Sequence, residues 1–408
     1  MAGITGISNT FNAPNYHGEL FALTPTDTPL LSMAGGIGGG KQATSTEFEW
    51  QTYDLREPEL RPRLEGADAP NPEARVRANV KGVVQIFHEA VGTTYTKSAT
   101  AQQLATGGAV NTADGLGVGN PVVNEHAWQV QQALTQIARD TNFAFWHGKK
   151  NVPVDNTTAR QTAGMLSVIT TNASSVGAVV TAASATDTVT AASHGLANGD
   201  QVSFTDPGGA AVRVDRTYFV VSSAAGTFKV ATTAGGPAIT LGTGTPKYVA
   251  VSGSTVTGNK ATVDRVNAFV QGIFDNGGLV QGETRTLFVP SIQKTLITKA
   301  FIEAGQKIPG VVSGNSGHVL GGVAVDRITT DFGDLNIVVD RALPKDAIVA
   351  LSMEQVDPVF LSIPGKGVLF EEELAKTGAV DKTQIYGEIG LKWGNERAHG
   401  VLRGLAVA

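Results

Sequence analysis

The sequence predicts a mixed α+β fold that carries a small inserted all-β domain, and three observations lead to this prediction. Helix-like and strand-like segments both occur but do not alternate in βαβ order. Between residues 173 and 258 Ala, Thr, Ser, Gly and Val dominate, and charged residues fall to eight. At 408 residues and 41% hydrophobic, the chain can bury the cores of two or three domains.

Composition and charge exclude several classes of function. The chain has no cysteine, which rules out disulfides and thiolate chemistry. Its formal net charge is -5, and residues 1–46 carry only Glu19, Asp27 and Lys41 as charged groups. Because no basic arm is present to neutralise phosphates, we expect no sequence-specific nucleic-acid binding. No signal peptide and no membrane span are expected either.

The first element is a charged hairpin from Glu47 to Glu89, in which nine acids and six bases are interleaved. We predict its strands at Phe48–Tyr53 and Val83–Phe87, joined by a proline-containing tip. This hairpin is either a solvated, flexible loop or an arm that lies on a neighbouring subunit. Because an isolated two-stranded hairpin is marginally stable in water, an ordered hairpin favours the second interpretation. The residues expected to make inter-subunit ion pairs are Arg56, Glu57, Glu59, Arg61, Arg63 and Glu65.

Helices and strands follow in mixed order. Apolar residues recur at helical spacing from Pro121 to His147 and predict one helix about 40 Å long. A second helix begins after Thr262, a plausible N-cap, and ends at Asn276-Gly277-Gly278. The remaining predictions are a strand at 286–289, a helix at 291–303, and strands at 323–328, 335–340, 347–351 and 384–393.

The inserted segment, Ala173–Gly258, contains short β-runs at 217–222 and 227–232 that are separated by Gly and Asn-Gly turns. A disordered linker is the alternative, and it fits residues 174–193 better than 195–248. The second stretch holds aromatic residues able to form a core: Phe204, Tyr218, Phe219, Phe228 and Tyr248.

Motifs that carry chemistry are incomplete. Gly35–Lys41 imitates a phosphate-binding loop, but Gln42 stands where a Ser or Thr should bind magnesium. Asp331-Phe332-Gly333 spells a kinase motif without the other kinase segments, so a β-turn is the simpler interpretation. Ser316 misses the nucleophile-elbow spacing, and the seven histidines show no metal-ligand spacing. The prediction is therefore no enzyme, no cofactor and no metal.

Several segments in order resemble a known family. They are Thr24–Leu31, Phe48–Leu55, Glu65–Asp68, Asp331–Arg341, Leu374–Gly378 and Gly387–Gly400. Together they are similar to tailed-bacteriophage major capsid proteins with the Hong Kong 97-type fold. This resemblance implies an N-terminal arm at 1–46, an extended hairpin called the E-loop at 47–90, and a peripheral domain with a long spine helix at 91–172. It further implies a mainly axial domain at 259–380 and a return strand of the peripheral domain at 381–408. The insert at 173–258 is the segment in which this sequence departs from the family's pattern.

The function that the resemblance implies is a structural subunit that self-assembles as hexamers and pentamers into an icosahedral head shell around phage double-stranded DNA, without sequence-specific binding. Assembly is expected in the host bacterial cytoplasm. The expected partners are further copies of the chain, a separate scaffolding protein because the match begins by Thr24, a portal protein, and a decoration protein as a further candidate. The alternative is a tail or baseplate protein with a glycan- or receptor-binding β-module. We expect the insert to fold independently and to project from the outer surface, with a role in shell stability favoured over attachment.

Overall fold

The computed structural model describes residues 22–37, 39–71, 73–100, 124–176, 180–252, 259–278, 285–306, 326–375 and 378–407. Across these ranges, no helix is both long enough and apolar enough to cross a bilayer. The chain forms two compact units. The first comprises Met1–Thr26, Phe87–Ile137 and Leu369–Tyr386, and the second comprises Asp27–Ile86, Ala138–Val368 and Gly387–Ala408.

Helices and strands are numbered in chain order. The helices are α1 (Pro29–Met33), α2 (Tyr95–Thr100), α3 (Glu125–His147), α4 (Met165–Val168), α5 (Val263–Asp275) and α6 (Ser291–Gln306). The strands before the insert are β1 (Lys41–Ala43), β2 (Glu47–Tyr53), β3 (Arg77–Val83) and β4 (Gln85–Thr94). Those between 173 and 258 are β5 (Ala173–Ser175), β6 (Val180–Thr181), β7 (Ala183–Ala185), β8 (Thr188–Thr190), β9 (Gln201–Asp206), β10 (Thr217–Ala224), β11 (Thr227–Ala231) and β12 (Lys247–Ala250). The last group is β13 (Arg285–Val289), β14 (Arg327–Thr330), β15 (Gly333–Val339), β16 (Ile348–Ser352), β17 (Asp357–Leu361), β18 (Leu369–Glu373), β19 (Val380–Lys392) and β20 (Gly400–Arg403).

Several predicted elements are confirmed with their local causes. Helix α3 occupies most of the predicted long helix, whose first residues, 121–123, lie outside the described ranges. Thr262 caps α5 by accepting a hydrogen bond from the Arg265 amide, and Gly277 ends that helix with a positive φ of 87°. Asp331 and Phe332 form the turn between β14 and β15, so the kinase-like tripeptide is a β-turn.

The core of the second unit is a six-stranded sheet in the order β14-β15-β13-β16-β20-β5. Strand β13 pairs parallel with β15 and antiparallel with β16, and all five of its residues are buried. Helix α5 buries Val266, Phe269, Val270 and Ile273 in the same hydrophobic cluster as the sheet. The amphipathic spacing of α5 is therefore explained by packing on this sheet.

A second sheet of seven strands lies wholly between residues 180 and 250, in the order β6-β12-β9-β10-β11-β8-β7. Its two end strands, β6 and β7, are halves of one segment, residues 180–185. This segment pairs with β12 on one side and with β8 on the other, and Ser184 exchanges both backbone hydrogen bonds with Gly244. The sheet therefore closes on itself as a small barrel, which removes the free edges that an open sheet exposes.

The first unit is built on β4 and β18, which pair with β19. The imidazole of His126, on α3, lies between two buried threonines. Its Nδ1 is 3.1 Å from the Thr93 hydroxyl and its Nε2 is 2.7 Å from the Thr383 hydroxyl. This bridge ties the start of the long helix to both strands.

The structure corrects several predicted boundaries. The hairpin partner of β2 is β3, not Val83–Phe87, because the chain leaves the hairpin at buried Val84 and continues as β4. β3 was missed because Arg77–Val83 has only two β-branched residues. The interval 174–193 contains β6, β7 and β8, although its small residues fit a linker. Strands β17, β18 and β20 were also missed, and β19 and α6 are longer than predicted.

Candidate inter-subunit surface

The base of the charged hairpin is anchored by aromatic rings. The Trp50 indole Nε1 donates a 2.8 Å hydrogen bond to the Gly394 carbonyl, and its ring lies edge-on to Trp393 at a centroid distance of 4.7 Å. Phe48, two residues earlier on the same face of β2, stacks on Trp50 at 5.9 Å. These contacts hold the two strands against the end of β19.

Two glycines make room for this anchor. A Cβ at Gly82 would collide with the Phe48 ring, and a Cβ at Gly390 would lie 2.8 Å from the Val83 carbonyl oxygen and 2.9 Å from the Phe48 ring. Real Cβ atoms do not approach other atoms this closely, so both positions require glycine for the ring to enter. The base of the hairpin is thus a packed joint.

Beyond the base, the hairpin is largely exposed; Asp54 lies 3.6 Å from Arg397, and the Lys81 carbonyl accepts a 2.8 Å hydrogen bond from Lys150. Strands β2 and β3 pair over seven residues, from Glu47↔Val83 to Tyr53↔Arg77, in a two-stranded sheet. On one face Lys81 forms a 2.8 Å ion pair with Glu49. Every described residue from Tyr53 to Asn79 is exposed. We refer to residues 54–76 as the tip.

The predicted charged residues are brought together, but largely with one another. Arg61 lies 3.0 Å from both Glu59 and Glu73, and Arg56 lies 3.7 Å from Glu59 and 3.6 Å from Glu73. Arg63 donates a 3.1 Å hydrogen bond to the Asp68 carbonyl. Within the described part of the chain, the carboxylates of Glu57 and Glu65 form no ion pair.

Glu73, absent from the predicted set, is the centre of this network. It pairs with Arg61, with Arg75 at 3.3 Å and with Arg56. Hydrogen bonds from Arg61 and Arg75 hold the pKa of the Glu73 carboxyl below its ordinary value, and the acidic partners Glu59 and Glu73 raise the pKa of Arg61. The network folds the tip on itself across the turn.

Sequence reasoning also missed the aliphatic side chains of the tip. Leu60 is 99% exposed and Leu64 86%, and Val76 and Leu55 are also exposed, at 79% and 66%. The signal was a set of large aliphatic residues within a charged, proline-containing segment that has neither helical nor strand periodicity. These side chains have no core within the tip to enter, which makes the tip a candidate interaction surface.

The other candidate sites have structural explanations. Lys41 of the glycine-rich loop pairs with Asp357 at 2.7 Å. His399 is buried and bonded through Nε2 to the Trp393 carbonyl, and His194 is bonded to the Ala224 carbonyl. Over the described ranges, no three His, Cys, Asp or Glu residues are placed to hold a metal ion. Ser316, His17 and His318 lie outside those ranges.

Comparison with known proteins identifies the family of the chain. The model of the family described as SU10 major capsid protein matches residues 3–406. No curated protein matches the chain significantly.

Three phage capsid chains are among the solved structures with a similar fold. A chain of the cyanophage A-1(L) capsid asymmetric unit has a TM-score of 0.55 at 10% identity, covering 97% of each chain. The capsid of Myoviridae phage XM1 has a TM-score of 0.52 at 10% identity, over 99% of this chain and 100% of that one. The capsid of cyanophage P-SCSP1u has a TM-score of 0.50 at 9% identity, over 98% and 94%. At these identities the likeness concerns the fold.

Proposed function

This chain belongs to the SU10 major capsid protein family and is a structural subunit of an icosahedral phage capsid, and we propose that its hairpin, residues 47–83, joins neighbouring subunits of the shell. The hairpin is the arm and its tip is the contact surface. The tail or baseplate alternative is not favoured, because the family match extends over residues 3–406 rather than over one module.

The observation that carries this proposal is the contrast between a packed base and an exposed tip. Trp50 and Phe48 fix where the hairpin leaves the subunit, whereas every described residue from Tyr53 to Asn79 faces solvent in a single copy. A two-stranded ribbon with large exposed aliphatic groups gains stability when a second surface covers it. In a shell made of many copies, the surface of a neighbouring copy can cover the tip.

The charged and aliphatic residues of the tip then have different roles. Exposed ion pairs contribute about 0–1 kcal/mol each, and those of Arg56 and Arg61 are already formed within the tip. Burying one leucine or valine side chain stabilises by about 1.5–3 kcal/mol. The network therefore orders the tip for docking, Leu60 and Leu64 supply most of the contact free energy, and the carboxylates of Glu57 and Glu65 remain for ion pairs with the next copy.

The insert and the other partners complete the proposal. The closed sheet at 180–250 has its own core, which supports an independent fold. We propose that it projects outward from an exposed position on the subunit and strengthens the shell through contacts between copies. The subunits assemble in the bacterial cytoplasm as hexamers and pentamers around the phage DNA. A separate scaffolding protein, a portal protein and a decoration protein are the partners we propose, by analogy with the resemblance above.

Assembly of hairpin variants tests the role of the tip. Leu60→Ser with Leu64→Ser should leave the subunit soluble but abolish closed shells at concentrations where the unchanged chain forms them, as judged by electron microscopy and sedimentation. The matched control, Leu60→Met with Leu64→Met, keeps the apolar area and should assemble. Arg61→Glu with Arg63→Glu should impair assembly by disordering the tip. Normal shells from both the serine and the charge-reversed pairs would overturn the proposal.

A further inference from the structure

The last strand of the chain pairs with the segment that leads into the barrel. Strand β20 lies parallel to β5, in the register Val401↔Ala173 to Arg403↔Ser175. The Val176 amide then donates a 2.9 Å hydrogen bond to the Arg403 carbonyl. The chain therefore enters the barrel from a position that its own C-terminal strand defines.

The residues after β20 hold the segment that leaves the barrel. The Val407 amide donates a 3.1 Å hydrogen bond to the Val251 carbonyl, and the Ala406 amide donates a 2.9 Å bond to the Asn259 carbonyl. The Val407 side chain packs with Val249, Val251 and the partly buried Ile292. Eight residues, 400–407, thus contact both connections of the barrel.

A buried carboxylate joins the same tail to the barrel wall. Asp346, which is fully buried, accepts a 2.8 Å hydrogen bond from the Ser203 hydroxyl of β9 through Oδ1 and a 3.2 Å bond from the Gly404 amide through Oδ2. Its backbone carbonyl accepts a further bond from the Leu405 amide. Burying a carboxylate without hydrogen bonds costs folding free energy. Because Asp346 is buried away from solvent, the loss of one of these donors should destabilise the contact.

We propose that residues 400–407 form a C-terminal clasp that fixes the position of the barrel on its subunit, with Asp346 as the shared anchor. On the barrel side, the clasp and its anchor Asp346 contact the two connections, Ser203 of β9 and Val249 of β12. The barrel core is formed by other side chains, including Phe204, Phe228 and Tyr218. Fold and placement of the barrel are therefore separable. A barrel held in one orientation in every copy can make the same contact with each neighbour, which a loosely tethered module cannot. This inference does not depend on the role of the hairpin.

Amide hydrogen exchange on the full-length chain, in shells and as soluble subunit, tests the clasp. Ser203→Ala leaves Asp346 buried with one donor fewer, and exchange at Val176, Gly404 and Val407 should rise about tenfold. Amides inside the barrel, such as Val220 and Ile239, should keep their protection. The matched control is Ser223→Ala, which removes a 2.6 Å hydrogen bond to the Leu196 carbonyl within the insert and should leave the clasp amides unchanged.

Deletion of residues 405–408 is the stronger form of the same test. It should accelerate exchange at Val176 and permit proteolysis at the barrel connections, with the barrel amides still protected. If this variant does not fold, the comparison of Ser203→Ala with Ser223→Ala tests the clasp alone. The clasp is wrong if Ser203→Ala and Ser223→Ala act alike on the clasp amides, or if clasp and barrel amides lose protection together, since barrel fold and placement would then be one property.

Discussion

The hairpin tip and the barrel are two segments of the same subunit that are stabilised in different ways. The barrel closes its sheet and packs Phe204, Tyr218, Phe228 and Tyr248 edge to face at centroid distances from 5.3 to 6.4 Å. The tip has two strands at its base, a network of exposed ion pairs and leucines that contact solvent. The barrel thus contains its own core, whereas the tip has none, and in the proposed function another copy covers it.

This contrast shows that the length and composition of a segment do not predict whether it is stable without contacts to another copy. The barrel segment, rich in Ala, Thr and Ser, has the composition of a linker, yet its backbone closes every edge. The tip, with its many charges, looks able to pair strongly, yet these pairs are exposed. Burial of apolar area decides the difference, because it contributes more free energy per residue than exposed charge does.

Truncation of one large apolar side chain in each region gives the largest expected difference. Phe204→Ala should destabilise the barrel by about 3–5 kcal/mol, since the ring is fully buried. Leu60→Ala should change the stability of the unassembled subunit by no more than about 0.5 kcal/mol, because the side chain is exposed there. Calorimetry and hydrogen exchange on the soluble subunit measure both. Equal effects would contradict the comparison.

A smaller effect is expected at the packed base of the hairpin. Gly82→Ala places a methyl group against the Phe48 ring and should destabilise the joint by about 1–3 kcal/mol, with a change in the fluorescence of Trp50 and Trp393. Gly226→Ala, in the turn between β10 and β11, meets open space and is the control. Unchanged fluorescence in Gly82→Ala would show that the hairpin is not anchored through Phe48.

The smallest effect concerns acid pH. Hydrogen bonds from Arg61 and Arg75 lower the pKa of Glu73 from its ordinary 4.5, and a hydrogen bond from Lys229 likewise lowers the pKa of Asp187 in the barrel. A carboxylate with a lowered pKa contributes stability that is present above its ordinary pKa and is lost as the pH falls through the lowered value. Below pH 4.5 the tip should therefore loosen.

The barrel should stay ordered over the same pH range, because its core and not the Asp187 pair holds it. Hydrogen exchange, corrected for the intrinsic effect of pH, compares tip and barrel amides between pH 6 and pH 3. Glu73→Gln should loosen the tip already at pH 6 and remove its pH dependence. A barrel that loosens before the tip would reverse the comparison.

Sequence reasoning reached the elements whose signals are local. The long helix, the Thr262 cap, the turn at Asp331-Phe332 and the charged hairpin each follow from residue spacing within one segment. The second hairpin strand was misplaced because Arg77–Val83 becomes a strand only by pairing with β2. The paired residues are distant in sequence: the Asn79 side chain, for example, bonds to that of Glu49, thirty residues earlier. Leu60 and Leu64 were missed because exposure is a property of the folded chain.

By itself, the sequence determined the α+β class, the charged hairpin, the altered texture of residues 173–258 and, through resemblance, the capsid family. Only the tertiary structure decided that the tip charges pair with one another, that the barrel has no open edge, and that residues 400–407 meet both of its connections. The reason is physical: periodicity and caps act over a few residues, whereas the partners of Arg61, Ser203 and Val407 are set by where distant segments come to lie. Asp346 illustrates the limit, since no local pattern indicates that its carboxylate is buried between Ser203 and Gly404.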